Sequence, residues 1–382
     1  MFEDPSQTLS LDNAILERMR ERAPGYDQRN EFFYEDLEVL KDIGYLKPRP
    51  LSQMSSEQRR LASYAPATAL GIGMHLTWMG VAQDMVRNGH QEFQWILDDG
   101  AAGEVFAFGV SERGNDSVLT DSSVAVTEVK GGFAFSGEKI FVSLSPAWSR
   151  LSVLGRLGDE IFHGFISRDQ KGWSQRADWN TLGMRATQSY TTLLDGAIVS
   201  PTRLVRRVMV GSFDDAFLRA IFRNFLLLVS SVYAGIADRA LEIMVNKVGT
   251  KIEISKSEGL QVDVSDDRRQ VASVAIEIDA LGPQLREYSS ITDFQSSTPA
   301  HWMRLFSGIK HQSVETARRA VDVALRVCGG NAYRSSHELS RLQRDVLAGV
   351  YHPSDTNAVH RTVAMDLFEY LAREQTLGNQ PN

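Results

Sequence analysis

The residues best placed to do chemistry crowd towards the C-terminal end of the chain. Arg326-Val327-Cys328-Gly329-Gly330-Asn331-Ala332-Tyr333 breaks a long amphipathic pattern at a double glycine, and Arg341-Leu342-Gln343-Arg344-Asp345 opens the next helical stretch. Without β-carbons, paired glycines let a backbone approach a ligand closely. Soon after, Tyr351-His352-Pro353-Ser354-Asp355 offers an imidazole and a carboxylate. An imidazole titrates near neutral pH and can shuttle a proton or hydrogen-bond a reacting oxygen; packed or solvated, it does neither. Asp355 can act as a base or cap the helix that follows. His75, in a Gly- and Met-rich helical stretch, is expected to face a substrate cavity. His311, His337 and His360 lack the i, i+4 spacing of a metal site. Gly71-Ile72-Gly73 is no dinucleotide fingerprint, since no strand precedes it and the third glycine is missing.

Three blocks must position these residues. Residues 11–104 read as helical, with Leu11, Ile15 and Met19 and then Phe33, Leu37, Leu40 and Ile43 at helical spacing. From Val105 to about 205 the texture turns to short strands: Phe106 to Val110, Val124 to Val129, a Lys130-Gly131-Gly132 turn, Phe133 onward, and further apolar runs to Leu194. Closely spaced strands with glycine turns predict a small barrel or sandwich. Helical patterning then returns: a long helix from Asp214 to Val248, a second from Ser265-Asp266-Asp267 to Tyr288, a third from Thr298-Pro299 to Gly329, and a fourth from about Ser354 to Arg373. The expected domains are 1–104, all-helical; 105–205, β; and 206–382, a four-helix bundle.

Composition narrows the function classes. A chain of 382 residues, 43% hydrophobic, can bury a large core. Its net charge of −7 argues against a dedicated nucleic-acid binder, which needs a basic stripe. One cysteine, Cys328, leaves no intramolecular disulfide and no zinc cluster. The first residues lack a secretory pattern, and the longest apolar run, Phe225 to Val229, is too short to span a bilayer, so a cytoplasmic protein without a membrane span is expected.

The glycine pair and the Arg-x-x-Arg-Asp together resemble the C-terminal signature of the acyl-CoA dehydrogenase superfamily, roughly Q-x-x-G-G-x-G-Y…R-x-x-R-D. Three further stretches resemble that family in order. Phe108-Gly109-Val110-Ser111-Glu112 with Gly114-Asn115-Asp116 is similar to its first flavin strand, two positions shorter; Glu138-Lys139-Ile140-Phe141-Val142-Ser143 to the segment against the isoalloxazine; and Leu182-Gly183-Met184-Arg185-Ala186-Thr187 to the end of its β domain. The resemblance implies an α+β multidomain fold of N-terminal helices, a middle β domain and a C-terminal four-helix bundle, in a homotetramer whose neighbouring subunits complete an FAD site. It assigns Ser111, Phe141 and Ser143 to the flavin ring, and Arg326, Gly329 and Gly330 to the interfacial part of the cofactor. Both serines could equally end strands and satisfy local backbone, and Arg185 could simply brace a loop.

The departures from the family touch the reaction. Its usual glutamate, nine residues after the Arg of the Arg-Asp pair, is Pro353 here; the alternative position, ten before the glycine of the long helix, is Phe225. Neither can remove a proton. Arg326 replaces a glutamine, and the usual arginine near the start of the long helix is out of register, with Arg219 and Arg223 nearby. His352 or Asp355 then stands as replacement base for α,β-dehydrogenation of an acyl thioester on CoA or acyl carrier protein, with an electron-acceptor flavoprotein or oxygen as oxidant. Histidine at this spacing is also found in flavin monooxygenases of the same fold, fed with reduced flavin. A silent flavin- or thioester-binding protein is the third alternative, and Glu112 the next carboxylate.

Overall fold

The computed structural model describes residues 11–115, 117–257, 263–291 and 301–378, with side chains as far as 368. Asp116, Thr298 and Pro299 lie outside the described residues. Five helices come first: α1 (Asn13–Arg29), α2 (Tyr34–Asp42), α3 (Leu51–Ala62), α4 (Pro66–Arg87) and α5 (Gln94–Ala101). Helix α1 starts where the Asp12 carboxylate accepts the Ile15 N–H at 2.8 Å, and it ends at Asn30, a residue type that tolerates the left-handed backbone found there (φ 54°). The apolar α4, with proline in its first turn, is buried along most of its length.

Eight strands follow: β1 (Phe106–Gly109), β2 (Ala125–Val129), β3 (Gly132–Val142), β4 (Arg150–Leu157), β5 (Glu160–Ser167), β6 (Trp173–Arg176), β7 (Tyr190–Val199) and β8 (Leu204–Met209). They form one sheet in the order β6-β7-β3-β2-β4-β5-β8, with β1 parallel to β4 off this path. The β2–β3 hairpin turns at Lys130-Gly131, as the alternation predicts. The sequence pattern misses β6: a short, polar edge strand has no apolar alternation to betray it.

The remaining helices are α6 (Ala216–Ser257), α7 (Ser265–Ser290), α8 (Trp302–Cys328), α9 (Glu338–Tyr351) and α10 (Thr356–Gly378). Helix α6 is 42 residues long, longer than its periodicity predicts, and packs on α3, α4, α7 and α8. Among the described residues it is the one helix long and apolar enough to cross a bilayer, but 94% of its apolar window is buried inside the protein. The short run Phe225 to Val229 therefore understates a core helix apolar on nearly every face. Ser265 opens α7 rather than capping it. The Asp263 carboxylate accepts the Ser265 N–H at 2.8 Å, and Asp266 and Asp267 fall in the first turn, where acidic groups suit the helix dipole. Helix α8 ends at Gly329, whose left-handed φ of 72° turns the chain.

Candidate functional site

The first part of the site is built where β1 and β3 end. The Ile140 N–H donates to the Ser111 carbonyl at 2.9 Å, which draws Ser111 and the Phe141–Ser143 segment together. Beside them runs the loop 182–189. Among the described non-glycine residues six have left-handed φ, and four of those belong here: Phe141, Leu144, Met184 and Gln188. Each such residue costs on the order of 1–3 kcal/mol, so it persists only where its surroundings over-determine it. Here the Leu144 N–H donates to the Thr187 carbonyl at 3.2 Å. A hydroxyl chain adds to this, Ser143 Oγ to Ser189 Oγ at 2.8 Å and Ser189 Oγ to Thr187 Oγ1 at 2.8 Å. Thr187 gives its proton to the Met184 carbonyl at 2.9 Å. Counting protons inward, Ser189 must donate to Thr187 and Ser143 to Ser189, so Ser143 turns its lone pairs outward. The Phe141 ring is 60% exposed, edge-on to Trp179, and the half-buried Ser111 hydroxyl has no hydrogen-bond partner among the described residues. An open aromatic face, a free hydroxyl and an outward acceptor suit a planar, polar-edged ring.

A buried ion pair underpins these two strand ends. Glu112, next to Ser111, receives the Lys139 ammonium and the Ser122 hydroxyl, and also the Ser123 N–H at 2.6 Å and Ser123 Oγ at 2.7 Å. Burial alone would push the Glu112 pKa up; Lys139 and the other donors hold it below the usual carboxylate range. Burial pulls Lys139 down to about 8, against the pull of its partner. Glu112 is engaged on both oxygens and is not a free base.

The Arg-x-x-Arg-Asp motif is a clasp. Arg344 grips both Asp27 oxygens at 2.9 and 2.5 Å and reaches the Leu182 carbonyl at 3.1 Å. Asp345 accepts the Met184 N–H at 2.6 Å. A β-carbon at Gly183 would sit 2.2 Å from the Arg344 carbonyl oxygen, so only glycine lets the loop lie on α9. Arg185 braces the same loop through the Asp27 carbonyl at 2.8 Å and the Thr181 carbonyl at 2.9 Å. Burial raises Asp345 to about 6, opposed chiefly by Arg341.

His352 sits where α9 ends. Its Nδ1 lies 3.1 Å from the hydroxyl of Tyr233, which rises from the buried middle of α6. Lys310, on the core face of α8, donates to the carbonyls of Gly349 at 2.8 Å, His352 at 3.0 Å and Ser354 at 2.6 Å, fixing the turn main chain. Burial, helped by the nearby Lys310 ammonium, holds His352 down to about 3, so the ring is neutral at physiological pH. Asp355 accepts the Ala358 N–H at 2.7 Å and caps α10 from an exposed position.

Other expected positions behave differently. His75 does not face a cavity: its Nε2 lies 2.7 Å from the Leu46 carbonyl and its Nδ1 accepts the Phe106 N–H at 3.2 Å, so the ring bridges three segments of the core. Arg219 pairs with Asp214 at 2.8 Å, while the buried Arg223 meets Asp84 at 2.8 Å. Phe225 packs on Phe108. Arg326 pairs with Asp322 at 2.7 Å on the surface, and β-carbons added at Gly329 or Gly330 would meet nothing within 4 Å of their own chain. Of this turn, only Gly329 has a positive φ, so strain is expected there and not at Gly330. No hydrogen bond among the described residues links this turn to Ser111 or Ser143, and no cluster of His, Cys, Asp or Glu there could hold a metal. Sequence reasoning missed Tyr233, Lys310 and Ser189. Lys310 alone left a signal, a lysine in the apolar stripe of Phe306, Ile309 and Val314.

Similarity to known proteins agrees with this architecture. The family described as "Acyl-CoA dehydrogenase, C-terminal domain" matches residues 227–354. A Bacillus subtilis protein named "Putative acyl-CoA dehydrogenase YdbM" is 25% identical over 369 residues, covering 93% of this chain and 95% of its own. Butyryl-CoA dehydrogenase from Megasphaera elsdenii has the same fold, with a TM-score of 0.78 at 13% identity over 96% of this chain and 100% of that one. The family match, the near full-length likeness and the shared fold together support a place in the acyl-CoA dehydrogenase superfamily. That superfamily is one of flavin-dependent oxidoreductases, and its chemistry is not uniform. The amino sugar nitrososynthase DnmZ of Streptomyces peucetius is 26% identical over 82% of this chain and 78% of its own. KijD3, solved with FMN and an amino-keto sugar nucleotide, has a TM-score of 0.81 at 22% identity over 100% of this chain and 96% of that one.

Proposed function

We propose that this chain is a flavin-dependent monooxygenase on the acyl-CoA dehydrogenase fold, supplied with reduced flavin by a separate reductase. The observation that carries the reading is that each candidate base is engaged: Asp355 caps a helix, Glu112 is bound on both oxygens, and His352 is neutral with Nδ1 against Tyr233. Phe141, Ser111 and Ser143 would hold the isoalloxazine, and Arg326, Gly329 and Gly330 the remainder of FAD, in a cytoplasmic homotetramer. When bound, the flavin would supply the electrons that activate oxygen. The chain's own part is to orient the ring, to offer Ser143 as an acceptor, and to offer His352 as a neutral hydrogen-bond donor to negative charge on oxygen. The relatives that oxidise amino sugars support a small substrate with an oxidisable nitrogen.

A second reading, α,β-dehydrogenation of a CoA- or carrier-bound acyl thioester, draws support from the near full-length likeness to the Bacillus protein. In that reading Asp355, exposed at its helix end, leaves its cap and takes the proton. Anaerobic titration of the flavin-loaded protein with acyl-CoAs separates the two. Bleaching of the flavin would refute the monooxygenase reading. No bleaching, together with oxygen-dependent product from the reduced protein, supports it. If neither FAD nor FMN colours the protein or raises its Tm, both readings fall and a silent binding role remains.

A further inference from the structure

The chain decides which ring nitrogen of His352 carries the proton. Tyr233 is fully buried, and its hydroxyl has one hydrogen-bond partner among the described residues, His352 Nδ1. Suppose Nδ1 carried the hydrogen: it would donate to the phenol oxygen, and the phenol's own proton would be buried with no acceptor within hydrogen-bond distance among the described residues. An unmade bond of that kind disfavours the arrangement by roughly five- to a hundredfold. With Tyr233 as donor, both atoms are satisfied. Burial, with the charge of Asp345, holds the phenol pKa far above its usual value, so the proton stays on the oxygen. His352 Nε2 makes no hydrogen bond among the described residues, and it is not enclosed.

We infer that Tyr233 is a positioning residue that locks His352 in its Nε2–H tautomer, presenting a neutral N–H donor to the site while the ring's lone pair faces the core. The role in turnover rests on the proposal that His352 meets the reacting centre; the tautomer does not. A locked donor can stabilise an anionic oxygen but cannot take a substrate proton without first inverting the tautomer.

The test is nitrogen NMR of the full-length chain labelled with ¹⁵N-histidine, with the His352 signals assigned by their loss in His352→Asn. The expected wild-type spectrum has a protonated Nε2 and an unprotonated, hydrogen-bonded Nδ1. In Tyr233→Phe the Nδ1 resonance should move towards that of a free lone pair, and the second tautomer should become detectable. Wild-type His352 protonated at Nδ1 overturns the inference, as do unchanged shifts in Tyr233→Phe. The wild-type spectrum decides the tautomer even if that variant folds poorly. Oxygen-dependent product formation by His352→Asn separates the two claims. Unchanged activity with a locked tautomer sinks the functional role of His352 and leaves the lock. Lost activity with an Nδ1 proton does the reverse.

Discussion

Glu112→Gln should do more damage than its size suggests. The side chains of Glu112 and Lys139 are 1% and 0% exposed, and the carboxylate accepts from Lys139, Ser122 and twice from Ser123. A glutamine keeps one acceptor oxygen and turns an NH₂ group towards these donors, leaving the Lys139 ammonium buried without a counter-charge. Removing one partner of a buried pair costs about 3–5 kcal/mol. Lys139→Met leaves the carboxylate with three donors, so about 2–3 kcal/mol is expected, since bonds to a charged group are worth about 1.5–3 kcal/mol each. The double variant should lose less than the sum, because neither charge is then stranded. Thermal unfolding followed by circular dichroism measures all four proteins. Since the pair pins Ser111 beside Phe141, flavin retention should fall in step with stability. Full stability in Glu112→Gln would refute the ion pair, and full stability with lost turnover would restore Glu112 as a catalytic base.

Gly329→Ala should destabilise the turn by about 1 kcal/mol, since φ is 72° there, whereas a β-carbon at Gly330 meets nothing in its own chain, so Gly330→Val should fold normally. Flavin lost from Gly330→Val, read by absorbance, then reports a neighbouring subunit or the cofactor itself; stoichiometric flavin would refute the interfacial site. Acid should destabilise the protein early: burial holds His75 and His163 down to about 4 and 3. Between about pH 6.5 and 5 the unfolded chain binds more protons at these two sites, partly offset by the proton that Asp345 holds in the fold up to about 6 and by Asp36, which burial also raises, so Tm should fall as pH falls across that window. A Tm flat from pH 7 to 4.5 would contradict their neutral burial. Light scattering should report a tetramer or dimer, since Tyr333, Tyr351 and Phe368 are exposed at 91%, 82% and 70% in the single chain. A clean monomer with stoichiometric flavin would refute that arrangement.

Much of the architecture was legible because it is written in periodicity and punctuation. The 3.6-residue stripe of α8 ends at a glycine that must turn left-handed, and the alternation of β2 and β3 flanks a glycine turn. The short polar β6 carries neither mark. Site chemistry was harder to read, because a side chain's role depends on what packs over it. His75 and His352 are the same residue type, yet one braces three core segments while the other ends a helix beside a phenol. Arg344 and Asp345 were recognisable as a motif, but that they clasp α1 and the loop 182–189 is a fact of tertiary contact. Tyr233 gave no signal at all, being one apolar-looking residue in the buried middle of α6.

The clasp between Arg344 and Asp27 also sets a clock. Its partners are 317 residues apart in the chain. At roughly 5–20 residues per second, a ribosome needs on the order of 15–60 s after making Asp27 to supply its arginine. The strained loop at 184–188 is made part-way through that interval and then waits on the order of 8–30 s for the contacts of Arg344 and Asp345, and closing so long a span carries an entropic cost. The site is therefore among the last parts of a nascent molecule to set, and a chain truncated before residue 344 would carry every strand of the sheet but not the clasp that Arg344 and Asp345 place on its loop.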